Sequence, residues 1–439
     1  MSQVMYERLS KKLELTESVR EKGELEEAAE EFVCVVEESS QFLNESEDDS
    51  DVDDEEEEMY VSEISRLRAV ASYQGALTLH QLARHEEGDK LLSKLGFQLR
   101  LCNDLLNYAG IPWSTSRGAT ASSSSCPAML DNALPDSLLL PLSSAFGVDA
   151  KFWSYHNYPT PTFFSYNLPL KAPSGKADDN IILQAVRHIR LALTDAFPVL
   201  SKAKSAEVWA HSRTADGHHQ LHYDLDEVAL RQGKLRSPLV SCVLFIEVPE
   251  GGGAPTLICN KVLQEEDGGD GFVCKPLRNR LLAFRGDLLH CVVPGIPRKL
   301  SAVHVLQRRV TLMVGFWEDV SLTQSTPSNE LGPNMPFPSR SASFLEDLKP
   351  LVPPPKIGKR NWLAARPQHI ENIWVRVPQI ADSADFGEYH DFDVNFTGRF
   401  FLRSTTTKEI DEEVLSGIEI KTEAPPSPNV RKKKKARRS

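Results

Sequence analysis

His222-Tyr223-Asp224, then Arg285-Gly286-Asp287-Leu288-Leu289-His290, then Arg309-Val310-Thr311 are the pieces of sequence that decide the reading of this chain. Two imidazoles and one carboxylate are the ligand types that hold a divalent metal on one face and leave the opposite positions open. Side chains alternate along a strand, so His222 and Asp224 are expected on one face and Tyr223 on the other. The third ligand has to come from a strand folded beside the first. His290 closes the run Asn279-Arg280-Leu281-Leu282-Ala283-Phe284, which reads as a buried strand followed by a turn. A histidine at that strand end is well placed.

Arg309 opens the apolar strand Val310-Thr311-Leu312-Met313-Val314-Gly315-Phe316-Trp317, where a charge needs a partner. A 2-oxoacid that chelates iron through its keto-acid end leaves a second carboxylate in the pocket. Arginine meets such a group with a two-pronged fork. Thr311, two residues on, shares the face of Arg309.

Taken together, His222-x-Asp224, His290 and Arg309-x-Thr311 resemble the signature of the Fe(II)/2-oxoglutarate-dependent dioxygenases, closest in style to the prolyl-4-hydroxylase-like branch. Gly251-Gly252-Gly253-Ala254-Pro255-Thr256-Leu257-Ile258 resembles that family's glycine-rich turn into a strand, and Leu281 to Pro294 resembles its segment around the second histidine. The resemblance covers residues 205–320. It departs between His290 and Arg309, an interval several residues longer than usual, and Arg308 and Arg298 stand as rivals to Arg309. The resemblance implies an α+β protein built on a double-stranded β-helix, or jelly roll, with flanking helices. It implies His222, Asp224 and His290 as ligands of Fe(II), Arg309 and Thr311 as the binding residues of 2-oxoglutarate, dioxygen as oxidant, and ascorbate as an admissible reductant. The reaction implied is decarboxylation of 2-oxoglutarate to succinate coupled to oxidation, by hydroxylation, of a second substrate.

The residues support the architecture separately. Short β-rich segments recur at 206–212, 239–248, 256–259, 280–284 and 310–317 with Gly, Pro and Asp between them, a spacing that suits a sandwich or barrel. His219-x-x-His222 has a ligand-like spacing, but on a strand it faces opposite sides, so His218 and His219 read as loop or pocket-rim residues. His211 and Arg213 share a face after Trp209 and line either the substrate mouth or a solvated edge. His304 and His390 read as structural, and Cys291 as filler pointing away from the site.

The 439 residues allow two to three domains, and an apolar content of 41% is enough for a packed core. Met1 to Lys12 lacks an apolar core of signal-peptide type, and no run is long enough to span a bilayer, so secretion and membrane insertion are not expected. Seven cysteines without a Cys-x-x-Cys pair read as reduced thiols of an intracellular protein. The net charge of −12 hides segregation: residues 45–58 carry eleven acids and 431–439 seven basic residues. The remainder is mildly acidic, which does not favour direct nucleic-acid binding.

The expected organisation starts with a helical region at 1–110, interrupted by an acidic disordered insert at 45–58. A Ser-rich linker at 111–130 and an oxygenase domain at 131–320 follow. An extension at 321–410 packs on that core, with strands near 373–377 and 399–402, and a disordered tail runs over 411–439. Gly23, Ala28 and Phe32 recur as Ala83, Gly88 and Leu92, a pattern that resembles degenerate tetratricopeptide repeats; an ordinary helical bundle packed on the core is the other reading. Amphipathic helices are expected over 136–153 and 180–197. The aromatic segment 155–170 either covers the pocket mouth or packs on the sheet. Ile420-Lys421-Thr422-Glu423 resembles a SUMO acceptor, and the basic end resembles a nuclear address, leaving nucleus or cytoplasm open. Helices beside the core tilt the expectation toward a protein substrate or partner. The reading of another class is a non-catalytic jelly roll whose helices serve interaction.

Overall fold

The computed structural model describes residues 2–47, 55–111, 113, 127–155, 165–170, 180–214, 217–226, 229–230, 232–249, 252–266, 268–298, 308–318, 367–380, 400–406 and 409–416. The Ser-rich stretch, most of the aromatic segment, His304, His390, the acceptor motif and the basic end lie outside them.

Among the described residues, the strands form three antiparallel sheets. The first two are built from β2 (Ala128–Leu130), β3 (Tyr166–Pro169), β4 (Ser205–Thr214), β5 (His219–His222), β6 (Val240–Glu247), β7 (Thr256–Val262), β8 (Gly271–Cys274), β9 (Leu281–Arg285), β10 (Leu288–Val292), β11 (Arg308–Trp317) and β12 (Gln368–Ile370). One has the order β2-β9-β6-β11-β4-β3 and the other β12-β8-β7-β10-β5. From β4 to β11 the chain changes sheet at every connection except β7 to β8, the interleaving of a jelly roll. The five expected strand segments coincide with β4, β6, β7, β9 and β11: 206–212, 256–259 and 310–317 lie inside their strands, while 239–248 overruns β6 by one residue at each end and 280–284 starts one residue before β9.

Alternation decides the layers. On β6 and β11, Cys242, Leu244, Ile246, Val310, Leu312, Val314 and Phe316 pack outward. They meet α6 (Asp136–Phe146) and α8 (Ile181–Leu193). The α8 stripe Ile182, Ala185, Val186, Ile189 and Leu193 is buried as its spacing predicts, and the Asn180 side chain caps the helix by accepting from the Leu183 N–H at 2.9 Å. Between the sheets, Val243, Phe245, Ile258, Leu282, Phe284 and Leu288 fill one end. The expected helix over 136–153 is broken into α6 and α7 (Lys151–Tyr155) at Gly147. A Cβ there would stand 2.5 Å from the Ser143 carbonyl, and the next N–H, of Val148, turns instead to the Glu247 carboxylate.

The outer face of the five-stranded sheet carries Leu221, Tyr223, Leu257, Cys259, Leu289 and Cys291. They share one core with α1 (Ser2–Glu21), α2 (Leu25–Glu47), α3 (Glu55–Gln81) and α4 (His85–Lys94). Both α1–α2 and α3–α4 turn through the same backbone device. The N–H of Glu24 reaches Val19 O and that of Arg84 reaches Leu79 O, while Gly23 (φ 82°) and Ala83 (φ 62°) take the left-handed position.

Three expected boundaries shift. The acidic run is helical at 45–47 and again at 55–58, as the end of α2 and the start of α3; residues 48–54 lie outside the described set. The linker expected at 111–130 ends in β2, which pairs with β9. The tail expected from 411 begins as helix α9 (Ile410–Ser416), with Ile410 and Val414 buried. The late strands β13 (Trp374–Arg376) and β14 (Phe401–Leu402) flank β1 (Leu99–Leu101), so the C-terminal extension completes a small sheet with the helical part. No described helix is long and apolar enough to cross a membrane, and the six described cysteines are free.

Candidate metal centre

Among the described residues, His222, Asp224 and His290 are the group of histidine, cysteine and acid side chains whose ligand atoms gather within 4.8 Å of one another. Asp224 Oδ1 lies 3.7 Å from Nε2 of His222 and 3.7 Å from Nε2 of His290. Each ring turns Nε2 inward because its Nδ1 faces a backbone carbonyl, Gln220 O at 2.8 Å for His222 and Leu288 O at 2.9 Å for His290. That contact favours the tautomer with its proton on Nδ1 and a lone pair on Nε2. Ser241 Oγ donates to Asp224 Oδ2 at 2.6 Å, which leaves Oδ1 for the centre. Burial, then the neighbouring His290, pulls His222 down to about 4, so it is neutral near pH 7.

A buried polar atom without a partner is costly. His290 is 3% exposed, yet among the described residues its Nε2 has no hydrogen-bond partner. A metal ion at the convergence of the three side chains would satisfy it. The donor set of two neutral nitrogens and one oxygen fits a divalent transition metal and leaves positions open.

Strand placement differs from expectation at three points. β5 ends at His222, and Asp224 follows it off the ladder rather than on the same strand. His290 does not close β9; a tight turn at Gly286-Asp287 intervenes and His290 sits inside β10, paired with His222. Gly286 is required there because a Cβ would collide with the Pro238 carbonyl. His219 was expected to face away from His222. A register shift sets the three-residue step from His219 to His222 against the two-residue step from His290 to Val292, and the His219 and His222 rings lie 4.4 Å apart on the same pocket.

The pocket between the sheets is lined by Trp209, His211, Arg213, His219, His222, Thr256, His290, Arg309 and Thr311, among others. Of the three candidate arginines only Arg309 enters it. Arg308 turns to Ser212, donating to its Oγ and its carbonyl at 2.8 Å each, and Arg298 is exposed. Arg309 is 4% exposed and donates to Ala254 O at 2.6 Å; among the described residues it has no carboxylate partner. Burial, with Arg213 directly across the strand pair, pulls its guanidinium down to about 10, still charged at neutral pH. Thr311 lies beside His211 and is 5% exposed. His211 and Arg213 line the pocket rather than an open edge. The Cys291 side chain packs on the outer core, and burial raises its thiol far above the usual range.

Two contributors escaped the reading of the sequence. Ser241 is a lone hydroxyl in the buried run Val240-Ser241-Cys242-Val243-Leu244, on the inward face by alternation, and that signal was available. Glu207, 9% exposed, shares the inward face of β4 with Trp209. Burial pushes its carboxyl up to about 7, against a hydrogen bond from Ser165 and with the Asp224 charge adding to the rise.

No family model and no curated protein matches the chain. Similar solved structures include a Pseudomonas putida prolyl-4-hydroxylase at 15% identity, covering 45% of this chain and 94% of that one, with a TM-score of 0.29. HygX from Streptomyces hygroscopicus, with nickel and 2-oxoglutarate bound, is 12% identical over 47% of this chain and 87% of that one, with a TM-score of 0.25. An oxidoreductase of the 2OG-Fe(II) oxygenase family from Burkholderia pseudomallei is 12% identical over 47% and 93%, with a TM-score of 0.26. Overlaps this loose carry no functional inference, and the site has to be read from its own geometry.

Proposed function

We propose that this chain is an Fe(II)- and 2-oxoglutarate-dependent dioxygenase that couples decarboxylation of the oxoacid to hydroxylation of a second substrate. The observation that carries the reading is one pocket holding two complementary needs among the described residues: a buried His290 Nε2 with no hydrogen-bond partner beside other metal-ligand atoms, and a buried Arg309 with no anionic partner. His222, Asp224 and His290 would hold the iron, and Arg309 would pair with the distal carboxylate while Thr311 adds a hydrogen bond. When bound, iron and the oxoacid supply the activation of dioxygen. The chain's own part is orientation. Gln220 O and Leu288 O fix the imidazole planes, Ser241 fixes the carboxylate, and the facing sheets keep Arg309 away from bulk water.

Trp209, His211 and Arg213 are the side chains we assign to the approach of the second substrate, since they share the pocket without belonging to either anchor. The test is release of carbon dioxide from 2-oxoglutarate in aerobic turnover with Fe(II). The wild-type chain should produce succinate in equal amount, and His290→Ala should produce none. Equal background rates in both proteins would reject the proposal.

A further inference from the structure

We infer that Asp411, in the C-terminal helix α9, is a positioning residue for the metal ligands and acts through Tyr223; the inference rests on His222, Asp224 and His290 being a metal site. The last ladder pair of β5 joins His222 to His290, so Tyr223 and Asp224 lie beyond the paired strand. Tyr223 turns away from the pocket, 5% exposed within the core shared with the N-terminal helices, and its hydroxyl donates to Asp411 Oδ1 at 2.6 Å.

The acceptor is itself fixed. Asp411 Oδ2 takes a hydrogen bond from Lys261 Nζ at 2.9 Å and another from the Gln264 N–H at 2.7 Å. Lys261, fully buried on β7, also donates to the carbonyls of Val262 at 3.1 Å and Glu265 at 2.6 Å. Gln264 holds φ 67°, a left-handed conformation unfavourable for a residue with a side chain. Strain of this kind persists where surrounding contacts over-determine it. A buried ion pair is weak evidence for stability, since apolar residues of the same volume serve a core as well or better. What this one adds is direction: a rigid carboxylate aimed at the residue between two ligands. Asp224 is thereby held from two sides, by Ser241 at its carboxylate and by the Tyr223–Asp411 tether at its backbone.

Tyr223→Phe is the discriminating variant, because it deletes one hydroxyl and leaves both the ring packing and the Lys261–Asp411 pair. Co(II) titration of the full chain, read by the ligand-field spectrum, should show weaker binding, by less than the roughly 10- to 100-fold lost when a group bonded directly to a ligand is removed, since Tyr223 acts through the backbone. Metal-free wild type and variant should both be folded at the temperature used. Asp411→Asn should weaken binding in the same direction and alter the Co(II) spectrum. Unchanged affinity and spectrum in both variants would overturn the inference, as would a lowered melting temperature with unchanged affinity, which assigns α9 to stability alone. Failure of the wild-type chain to bind Co(II) would reject the metal site itself, a separate outcome.

Discussion

Ser241 Oγ, on the six-stranded sheet, donates to Asp224 Oδ2 at 2.6 Å, so the orientation of a candidate ligand just past β5 of one sheet is set by a hydroxyl on the other. Ser241→Ala removes that bond and almost no volume. Its expected effect is a 10- to 100-fold loss of metal affinity, with stability lowered by only about 1 kcal/mol. Isothermal titration with Fe(II) under anaerobic conditions, beside a denaturant melt, separates the two.

Arg309→Ala should abolish 2-oxoglutarate binding and leave metal affinity close to wild type, because the guanidinium lies in the pocket but is not among the ligand atoms. Arg308→Ala should leave oxoacid binding nearly intact, since that side chain is spent on Ser212. Paired titrations check both. A metal enzyme of this fold that uses no oxoacid would be indifferent to Arg309.

Glu207 makes the metal-free chain pH-sensitive. Its folded value is raised from 4.5 to about 7 by burial. The folded state therefore keeps a proton that the unfolded chain releases. Its contribution is full below about pH 4.5 and is lost as pH rises through about 7, a total of about 3 kcal/mol. Glu207→Gln should flatten that slope in denaturant melts of the metal-free protein between pH 5 and 8; an unchanged slope would assign the dependence elsewhere.

The two helical turns predict opposite responses to one methyl group. Gly23 and Ala83 occupy the same left-handed position after α1 and α3. Gly23→Ala should destabilise by about 1 kcal/mol, whereas Ala83→Gly should be neutral or stabilising by up to about 1 kcal/mol. Thermal melts of the two variants decide it.

Much of the architecture was legible because alternation and 3.6-residue periodicity are local signals. The β6 and β11 runs and the α8 stripe needed no knowledge of what lay opposite. The candidate ligands were legible as residue types in order. Their placement was not: the register shift opposite His219 and the turn at Gly286 arise from pairing between strands distant in sequence, and they decide which way each histidine faces. The helical starts inside the acidic run and at Ile410 were hidden for a related reason. Composition there argues for solvation, while α3 is packed further along, at Ile64 and beyond, and the start of α9 is buried by distant partners, as Asp411 is by Lys261 and Tyr223. Of the rival arginines, only tertiary burial separated Arg309 from Arg308, its immediate neighbour on the opposite face.

The central claim is that one pocket binds Fe(II) and 2-oxoglutarate together. Anaerobic titration of the full chain with both should produce the weak visible charge-transfer band of an iron–oxoacid chelate, and His222→Ala should lack it. A folded wild-type chain that takes up neither band nor iron would contradict the account and leave the interleaved sheets as a scaffold without this chemistry.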